Sequence, residues 1–159
     1  MDFAEQSKFM KAAVREGRKG LENGDGGPFG AVIVRNGEII ASAHNEVIRT
    51  SDPTAHAEIN AIRKASALLK RFDLSDCEIY TTCEPCPMCF AAIHWAKMTR
   101  MYYGCDRKDA AEIGFDDNFI YQVIMGRADK IQVSSEQLGR ADCLALFKSW
   151  TEIENKTQY

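Results

Sequence analysis

Two short stretches that carry metal-ligand residues constrain this chain more than any other feature. The first places His56 two residues before Glu58, and the second places Cys86 three residues before Cys89. Imidazole and thiolate groups are ligands that Zn²⁺ prefers. Three such ligands leave one coordination position open for water, which is typical of catalytic zinc sites. The fold must therefore bring the two stretches together around one ion.

Both stretches are predicted to begin helices. Residues two apart on a helix point about 200° away from each other, so His56 and Glu58 can converge only at a helix N-terminus. The sequence over residues 52–54 suits such a start, and prolines flank the second motif. Cys86 and Cys89 share one helix face, where the positive end of the helix favours thiolates. Glu58 is then free to carry protons, because it is not needed as a ligand.

A closed structural site with Cys83 as a fourth ligand is the main alternative. It would leave Glu58 without a role, so we favour the open site and expect Cys83 in the pocket wall. A lone C-x-x-C also occurs in redox and structural sites, but here it is combined with H-x-E. His44 and His94 are not expected to be ligands, because the set is complete without them.

Periodicity predicts alternating helices and strands along the chain. An Asn36-Gly37 turn predicts a hairpin between strands at 31–35 and 38–43. The later alternation favours an α/β fold with a mixed sheet between helices, a three-layer α-β-α arrangement. Five strands are expected, of which the fifth, at 130–134, is weak. The remaining predicted strands lie at 78–82 and 100–104, the predicted helices at 3–21, 54–70, 87–97 and 116–124, and the predicted loop at 105–114. A C-terminal helix is predicted from the stripe of Cys143, Phe147 and Trp150.

Composition limits the function classes. A length of 159 residues suits one domain, and we expect a single domain over 1–159. The net charge of −3 gives no basic footprint for nucleic acid. No apolar run approaches the ~18 residues of a membrane span, and no signal peptide is visible. Three of the six cysteines crowd into one motif, which favours metal over disulfides and predicts a reducing cytoplasm.

Several other residues are compatible with more than one role. Asn45 follows a strand, where it can bind a substrate or only form a turn. The stretch around Phe29 can approach a ligand or be a simple turn. Trp95 falls on the predicted helix that carries Cys86 and Cys89, where its side chain can belong to the core or line the pocket. Asp116 and Asp117 can cap a helix or contact a substrate.

The combination of His56-Ala57-Glu58 with Pro85-Cys86-Pro87-Met88-Cys89 resembles the zinc nucleobase deaminases of the cytidine-deaminase-like superfamily. Within it, the chain is most similar to the bacterial guanine deaminases. The discriminating stretches are Gly114-Phe115-Asp116-Asp117 and the terminal Tyr159, since the metal motifs are shared with tRNA adenosine deaminases. The resemblance implies a five-stranded sheet between helices and conversion of guanine to xanthine and ammonia.

The resemblance also implies roles for individual residues. One Zn²⁺ per chain would be held by His56, Cys86 and Cys89, with Glu58 as the proton shuttle. The purine would contact Phe29, Asn45, Trp95, Asp117 and Tyr159. The C-terminal segment would be exchanged in a homodimer, so that Tyr159 closes the partner's pocket. Guanosine, an aminotriazine or adenosine in tRNA are the alternative substrates, and a non-catalytic zinc-binding module is the alternative class.

Overall fold

The architecture is a mixed β-sheet between two layers of helices. A computed structural model describes residues 3–128 and 132–158. Over this part of the chain the helices are α1 (Phe3–Asn23), α2 (Val47–Thr50), α3 (Ala57–Leu69), α4 (Pro87–Trp95), α5 (Arg107–Glu112), α6 (Asn118–Ile124) and α7 (Arg140–Thr151). The strands are β1 (Gly30–Arg35), β2 (Glu38–His44), β3 (Cys77–Cys83) and β4 (Arg100–Cys105).

The sheet has the strand order β2-β1-β3-β4. β1 pairs antiparallel with both β2 and β3, whereas β3 and β4 run parallel. The β1–β2 turn is the predicted hairpin: Asn36 and Gly37 have φ values of 52° and 79°. Positive φ at both central residues defines a type I′ turn, which Asn-Gly favours. The hairpin prediction is confirmed.

Alternate residues of β1 face the two helical layers. Val32 and Val34 pack with Phe9 and Ala13 of α1 and with Tyr80 of β3. Ala31 and Ile33 pack on the opposite side, in a cluster with α3 and α4 that includes Ala57, Ala61, Ala65 and Ile93. β1 is buried on both faces because it is a central strand with helices on either side. The predicted three-layer arrangement is confirmed.

The prediction of five strands is wrong for the described residues, whose sheet has four. Residues 129–131, which hold part of the predicted fifth strand, lie outside the described residues. Residues 132–134 form no strand, and the side chain of Val133 is 79% exposed. The physical reason is that Val133 is flanked by Gln132 and Ser134, so this part of the stretch has little apolar surface to bury against a sheet.

Two short helices and one helix boundary differ from the sequence prediction. α2 was not predicted, and α5 replaces most of the loop expected at 105–114. α3 begins at Ala57, later than expected, because Asp52 forms a turn of its own: its Oδ1 accepts hydrogen bonds from the Thr54 amide at 2.8 Å and the Thr54 hydroxyl at 2.7 Å. His56 is therefore the N-cap residue of α3. No helix in the described part of the chain has the length and apolar character needed to cross a membrane.

Candidate active site

The metal-ligand residues lie at the beginnings of α3 and α4. His56 is the N-cap residue of α3 and Cys86 is the N-cap residue of α4, both with extended backbone. Neither side chain caps its own helix, so both remain available to bind a metal ion. Cys89 is buried in the first turn of α4. The two helices thus bring the separate sequence motifs to one point, as the spacing predicted.

The three ligand atoms have the geometry of a zinc site. His56 Nδ1 lies 3.6 Å from Cys86 Sγ and 3.5 Å from Cys89 Sγ. Zinc bond lengths of about 2.3 Å to sulfur and 2.0–2.1 Å to nitrogen place these atoms about 3.6 Å apart at a tetrahedral angle. His56, Cys86 and Cys89 form the one candidate metal cluster among the described residues. The donor set therefore fits zinc with a fourth position open.

The protonation of the two thiols is tuned by their contacts. The hydrogen bond from Cys89 and the neighbouring His56 lower the pKa of Cys86 to about 4. The same hydrogen bond, together with burial, raises the pKa of Cys89. Cys86 is thus a thiolate at neutral pH, while Cys89 must release a proton to bind a metal ion. Such proton release is the usual accompaniment of zinc binding by cysteine.

Glu58 lies beside the ligand cluster but does not belong to it. Its side chain is buried, with Oε1 accepting a hydrogen bond from the Thr81 hydroxyl at 3.4 Å and Oε2 lying 3.5 Å from Cys89 Sγ. Burial and the negative charge of Cys86 raise the pKa of Glu58. A carboxyl group with a raised pKa next to an open metal position is suited to accept and donate protons near neutral pH.

A cavity of about 450 Å³ opens over the cluster. This volume is in the range of small-molecule sites. Phe29 and Phe115 meet edge to face on one side, with ring centroids 4.9 Å apart. The predicted residues that line the cavity are Phe29, Asn45, His56, Glu58, Cys86 and Asp117. The lining also includes Pro53, Glu84, Met88, Ala110, Gly114, Phe115, Asp116 and Ile120.

The sequence family agrees with this geometry. Residues 4–105 match the cytidine and deoxycytidylate deaminase zinc-binding region. This match covers more than half of the chain and contains all three predicted metal ligands. The chain belongs to this deaminase family.

Individual members of the deaminase family extend the match to the whole chain. Guanine deaminase of Bacillus subtilis is 47% identical over 151 residues, which cover 95% of this chain and 97% of that protein. The crystal structure of that guanine deaminase superposes with a TM-score of 0.92, covering 100% of this chain and 99% of the other at 45% identity. A tRNA-specific adenosine deaminase of Agrobacterium fabrum is 35% identical over 91% of this chain and 95% of that protein.

One described residue that was predicted to contact the substrate, Trp95, is absent from the lining of the cavity. The side chain of Trp95 is 66% exposed and lies on a separate groove between α3 and α4, next to Ile62 and Phe72. Trp95, which was expected to line the pocket, is therefore not part of the described lining of this cavity. The physical reason is that Trp95 is the last residue of α4, far along the helix from Cys86. Tyr159 lies outside the described residues.

Cys83 also differs from its predicted place in the pocket wall. It is buried at the end of β3, is absent from the described lining of the cavity, and approaches the Asp106 carbonyl oxygen at 3.7 Å. Burial raises the pKa of Cys83 to about 12, so this thiol is protonated at neutral pH. His94, which was not expected to be a metal ligand, lies outside the cluster of His56, Cys86 and Cys89. Its Nδ1 is 2.9 Å from the Phe90 carbonyl oxygen, within its own helix.

The sequence prediction did not include the residues around α5 and α6 that support the 114–117 side of the cavity. Asp106 forms a capping box with Asp109 and thereby starts α5, a pattern that the D-x-x-D spacing could have revealed. Arg107 pairs with Glu84 at 3.3 Å and lies 4.4 Å from the ring of Tyr121. These contacts join the loop that carries Cys86 to α5 and α6, and so hold the 114–117 turn over the site.

Proposed function

We propose that this protein is a zinc-dependent hydrolase that converts guanine and water to xanthine and ammonia. The observation that carries the proposal is the whole-length similarity to a guanine deaminase, at 47% identity and a TM-score of 0.92. The 114–117 turn, which resembles that family most specifically, lines the cavity over the metal cluster. The proposal therefore rests on substrate-facing residues as well as on the shared metal motifs.

The chain's own residues account for the proton movements. His56, Cys86 and Cys89 would hold one zinc ion per chain. When bound, zinc supplies the Lewis acidity that lowers the pKa of water to about 7. Glu58 accepts the proton as the water oxygen bonds to C2 of guanine, and delivers it to the adjacent ring nitrogen. Glu58 then takes the proton of the new C2 hydroxyl group and passes it to the amine, so that the C2–N bond breaks, the C2 carbonyl of xanthine forms and ammonia leaves.

The contacts of Asn45 suggest which of its groups faces the substrate. Its side-chain Oδ1 accepts a hydrogen bond from the Val47 amide at 3.1 Å. The amide NH₂ is then the group of Asn45 available to donate to the purine. Guanine presents acceptors on its ring nitrogens and carbonyl, which suits such a donor.

Asp117 offers the complementary acceptor. It is the N-cap residue of α6, yet its side chain makes no capping hydrogen bond. Burial and the negative charge of Cys86 raise the pKa of Asp117. A carboxyl group that is not used to cap its helix and lines the cavity supports a contact with an N–H group of guanine. Phe29 would pack against the ring.

Ammonia release from a substrate panel tests the proposal. The panel contains guanine, guanosine, adenine, cytosine, an aminotriazine and tRNA, with zinc-loaded protein in every assay. Guanine should be the fastest substrate. The tRNA is included because the chain is 35% identical to a tRNA-specific deaminase, although a net charge of −3 disfavours nucleic acid. Faster release from guanosine, cytosine or tRNA than from guanine would contradict the assignment.

We also propose that the C-terminal segment completes the site of a second copy in a homodimer. All described side chains of α7 are exposed, including Leu146 and Phe147 at 69% and 64%. Apolar side chains on one helix need a surface to cover them. Tyr159 would then close the partner's cavity.

The six free cysteines suit a reducing compartment, which we propose to be the cytoplasm.

A further inference from the structure

A buried polar group lies behind Asn45, outside the cavity. Its centre is Asn60 on α3, whose side chain is only 8% exposed. Asn60 Nδ2 lies 3.2 Å from the carbonyl oxygen of His44, 3.3 Å from that of Ala55 and 3.1 Å from Glu46 Oε2. One amide group thus faces three acceptors. Asn60 itself is absent from the described lining of the cavity.

The two carbonyl groups belong to functionally placed residues. His44 directly precedes Asn45, the proposed purine contact, and Ala55 directly precedes the metal ligand His56. The backbone amide of Asn60 also donates to the carbonyl of His56 at 3.0 Å. Asn60 therefore links two backbone segments, the one that precedes Asn45 and the one that precedes His56, and fixes the distance between them.

Few other hydrogen bonds link these two segments. The Glu46 amide donates to the Ala55 carbonyl at 2.9 Å, across the same gap. The other side of the substrate segment is held by Asp25, whose side chain lies 2.9 Å from His44 Nε2. Asn60 thus connects this segment to α3, one turn before Lys64, whose Nζ donates to the Ser42 carbonyl oxygen at 2.9 Å. Loss of the Asn60 donors would leave the Ala55 carbonyl with its bond from the Glu46 amide, but would remove the side-chain donor of the buried His44 carbonyl, and the segment would shift to find a partner for that group.

We propose that Asn60 is a positioning residue for guanine: it sets the distance between the Asn45 amide and the metal centre. The inference rests on the proposed function, because it requires that Asn45 contacts the purine. A purine held by Asn45 has to present its C2 to the water beside Glu58. A small shift of the Asn45 segment would weaken binding and misplace the reacting carbon.

The test is a double-mutant cycle on the zinc-loaded enzyme. The proteins are wild type, Asn60→Ala, Asn45→Ala and the double variant, assayed for KM and kcat with guanine and for zinc content. Asn60→Ala should raise KM about 10-fold and leave zinc bound. In the Asn45→Ala background the same change should alter KM by less than about 2-fold, because the contact it positions is already absent. Asn60→Ser, which keeps one donor, should fall between wild type and Asn60→Ala.

Each outcome has a defined meaning. Asn36→Gly is the control, because Asn36 is exposed in the β1–β2 turn, at the opposite end of β1 from the pocket residue Phe29, and glycine keeps the positive φ of this position; its KM should equal that of wild type. An equal rise in KM in both backgrounds would make Asn60 merely structural and overturn the inference. If Asn60→Ala does not fold, the cycle is run with Asn60→Ser and judged by the same rule. Guanine turnover by wild type with no effect of Asn45→Ala on KM overturns this inference alone, whereas no guanine turnover overturns the proposed function too.

Discussion

At the scale of single residues, Glu58 is a carboxyl group that the fold removes from water. Its carboxyl is buried and its pKa is raised by that burial. It lies within reach of a ligand sulfur and of the Thr81 hydroxyl, but belongs to no cap and no ion pair that the described structure contains. Burial of a carboxyl group lowers the stability of the fold. A buried carboxyl with a raised pKa beside a metal cluster is therefore best explained by a chemical role.

The first prediction concerns the proton shuttle. Glu58→Gln keeps the shape of the side chain and removes its acid–base function, so kcat should fall by about 10²–10⁴-fold. Zinc content and circular dichroism should match those of wild type. Glu112→Gln makes the same chemical change at an exposed residue of α5 and should leave ammonia release unaltered. A Glu58→Gln protein with normal turnover would exclude the mechanism.

The second prediction concerns the buried thiol of Cys77 and alkaline pH. Burial raises the pKa of Cys77 to about 11 from its ordinary value of 9.0. The unfolded chain therefore loses this proton near pH 9, while the folded protein keeps it, so the free energy of unfolding should fall between pH 9 and pH 11. Urea denaturation at several pH values measures this slope. Cys77→Ala should make it shallower.

The control for this prediction is Cys143→Ala. Cys143 is exposed on α7, so its removal should leave the slope of the wild type unchanged. Cys83, whose pKa is also raised by burial, to about 12, contributes in the same direction. An identical slope in Cys77→Ala and wild type would show that the Cys77 thiol does not carry the effect.

At the scale of elements, α1 and β1 pack closely at Gly30. A Cβ added to Gly30 would lie 2.1 Å from the Ala13 carbonyl oxygen and 2.4 Å from the Gly17 amide nitrogen. Both contacts are with helix backbone, which cannot move aside without shifting α1. Because Gly30 follows the pocket residue Phe29, this contact between helix and strand also supports one wall of the cavity.

The third prediction follows from this close packing. Gly30→Ala should lower the free energy of unfolding by about 1–3 kcal/mol or more, because overpacking forces backbone shifts. Gly104→Ala is the matched comparison: its Cβ would lie 3.0 Å from the nearest atom, the Thr82 carbonyl oxygen, and should cost less. Chemical denaturation of both variants gives the order. A Gly30→Ala protein as stable as wild type would mean that α1 and β1 are packed more loosely.

Local signals explain what could be predicted from the sequence. The hairpin follows from two adjacent residues that favour positive φ, and the ligand cluster follows from motif spacing and flanking prolines. The place of Trp95 could not be read in the same way, because it depends on how α3 and α4 pack. The sheet of the described residues, with four strands, shows the same limit: strand propensity at 132–134 does not decide whether a neighbouring edge is available. α5 was missed although its capping signal is local.

At the scale of the whole molecule, α7 is the part that the rest of the described chain does not cover. Leu144 and Trp150 are 43% and 42% exposed, in addition to Leu146 and Phe147. The guanine deaminase structure of Bacillus subtilis superposes on this chain with a TM-score of 0.92 and covers all of it. An apolar helix in this position supports the proposed exchange of tails in a homodimer.

The fourth prediction tests this exchange. Deletion of residues 157–159 should sharply reduce guanine turnover and leave zinc bound, because the cavity would lose its lid but not its ligands. Refolding the truncated chain together with the Glu58→Gln chain pairs an intact Glu58 with an intact tail. Random pairing of the two chains should restore about a quarter of the wild-type activity. Normal activity of the truncated enzyme, or a monomer at working concentration, would contradict the model.

The exposure of α7 has a consequence for how much of the protein is active in a cell. If each cavity is closed by the tail of another copy, closure is a second-order event governed by mass action. Specific activity should then fall on dilution below the dissociation constant of the dimer, although every chain keeps its zinc and its fold. The rate per chain would therefore depend on how much of the chain the cell makes, so that low expression gives disproportionately little turnover.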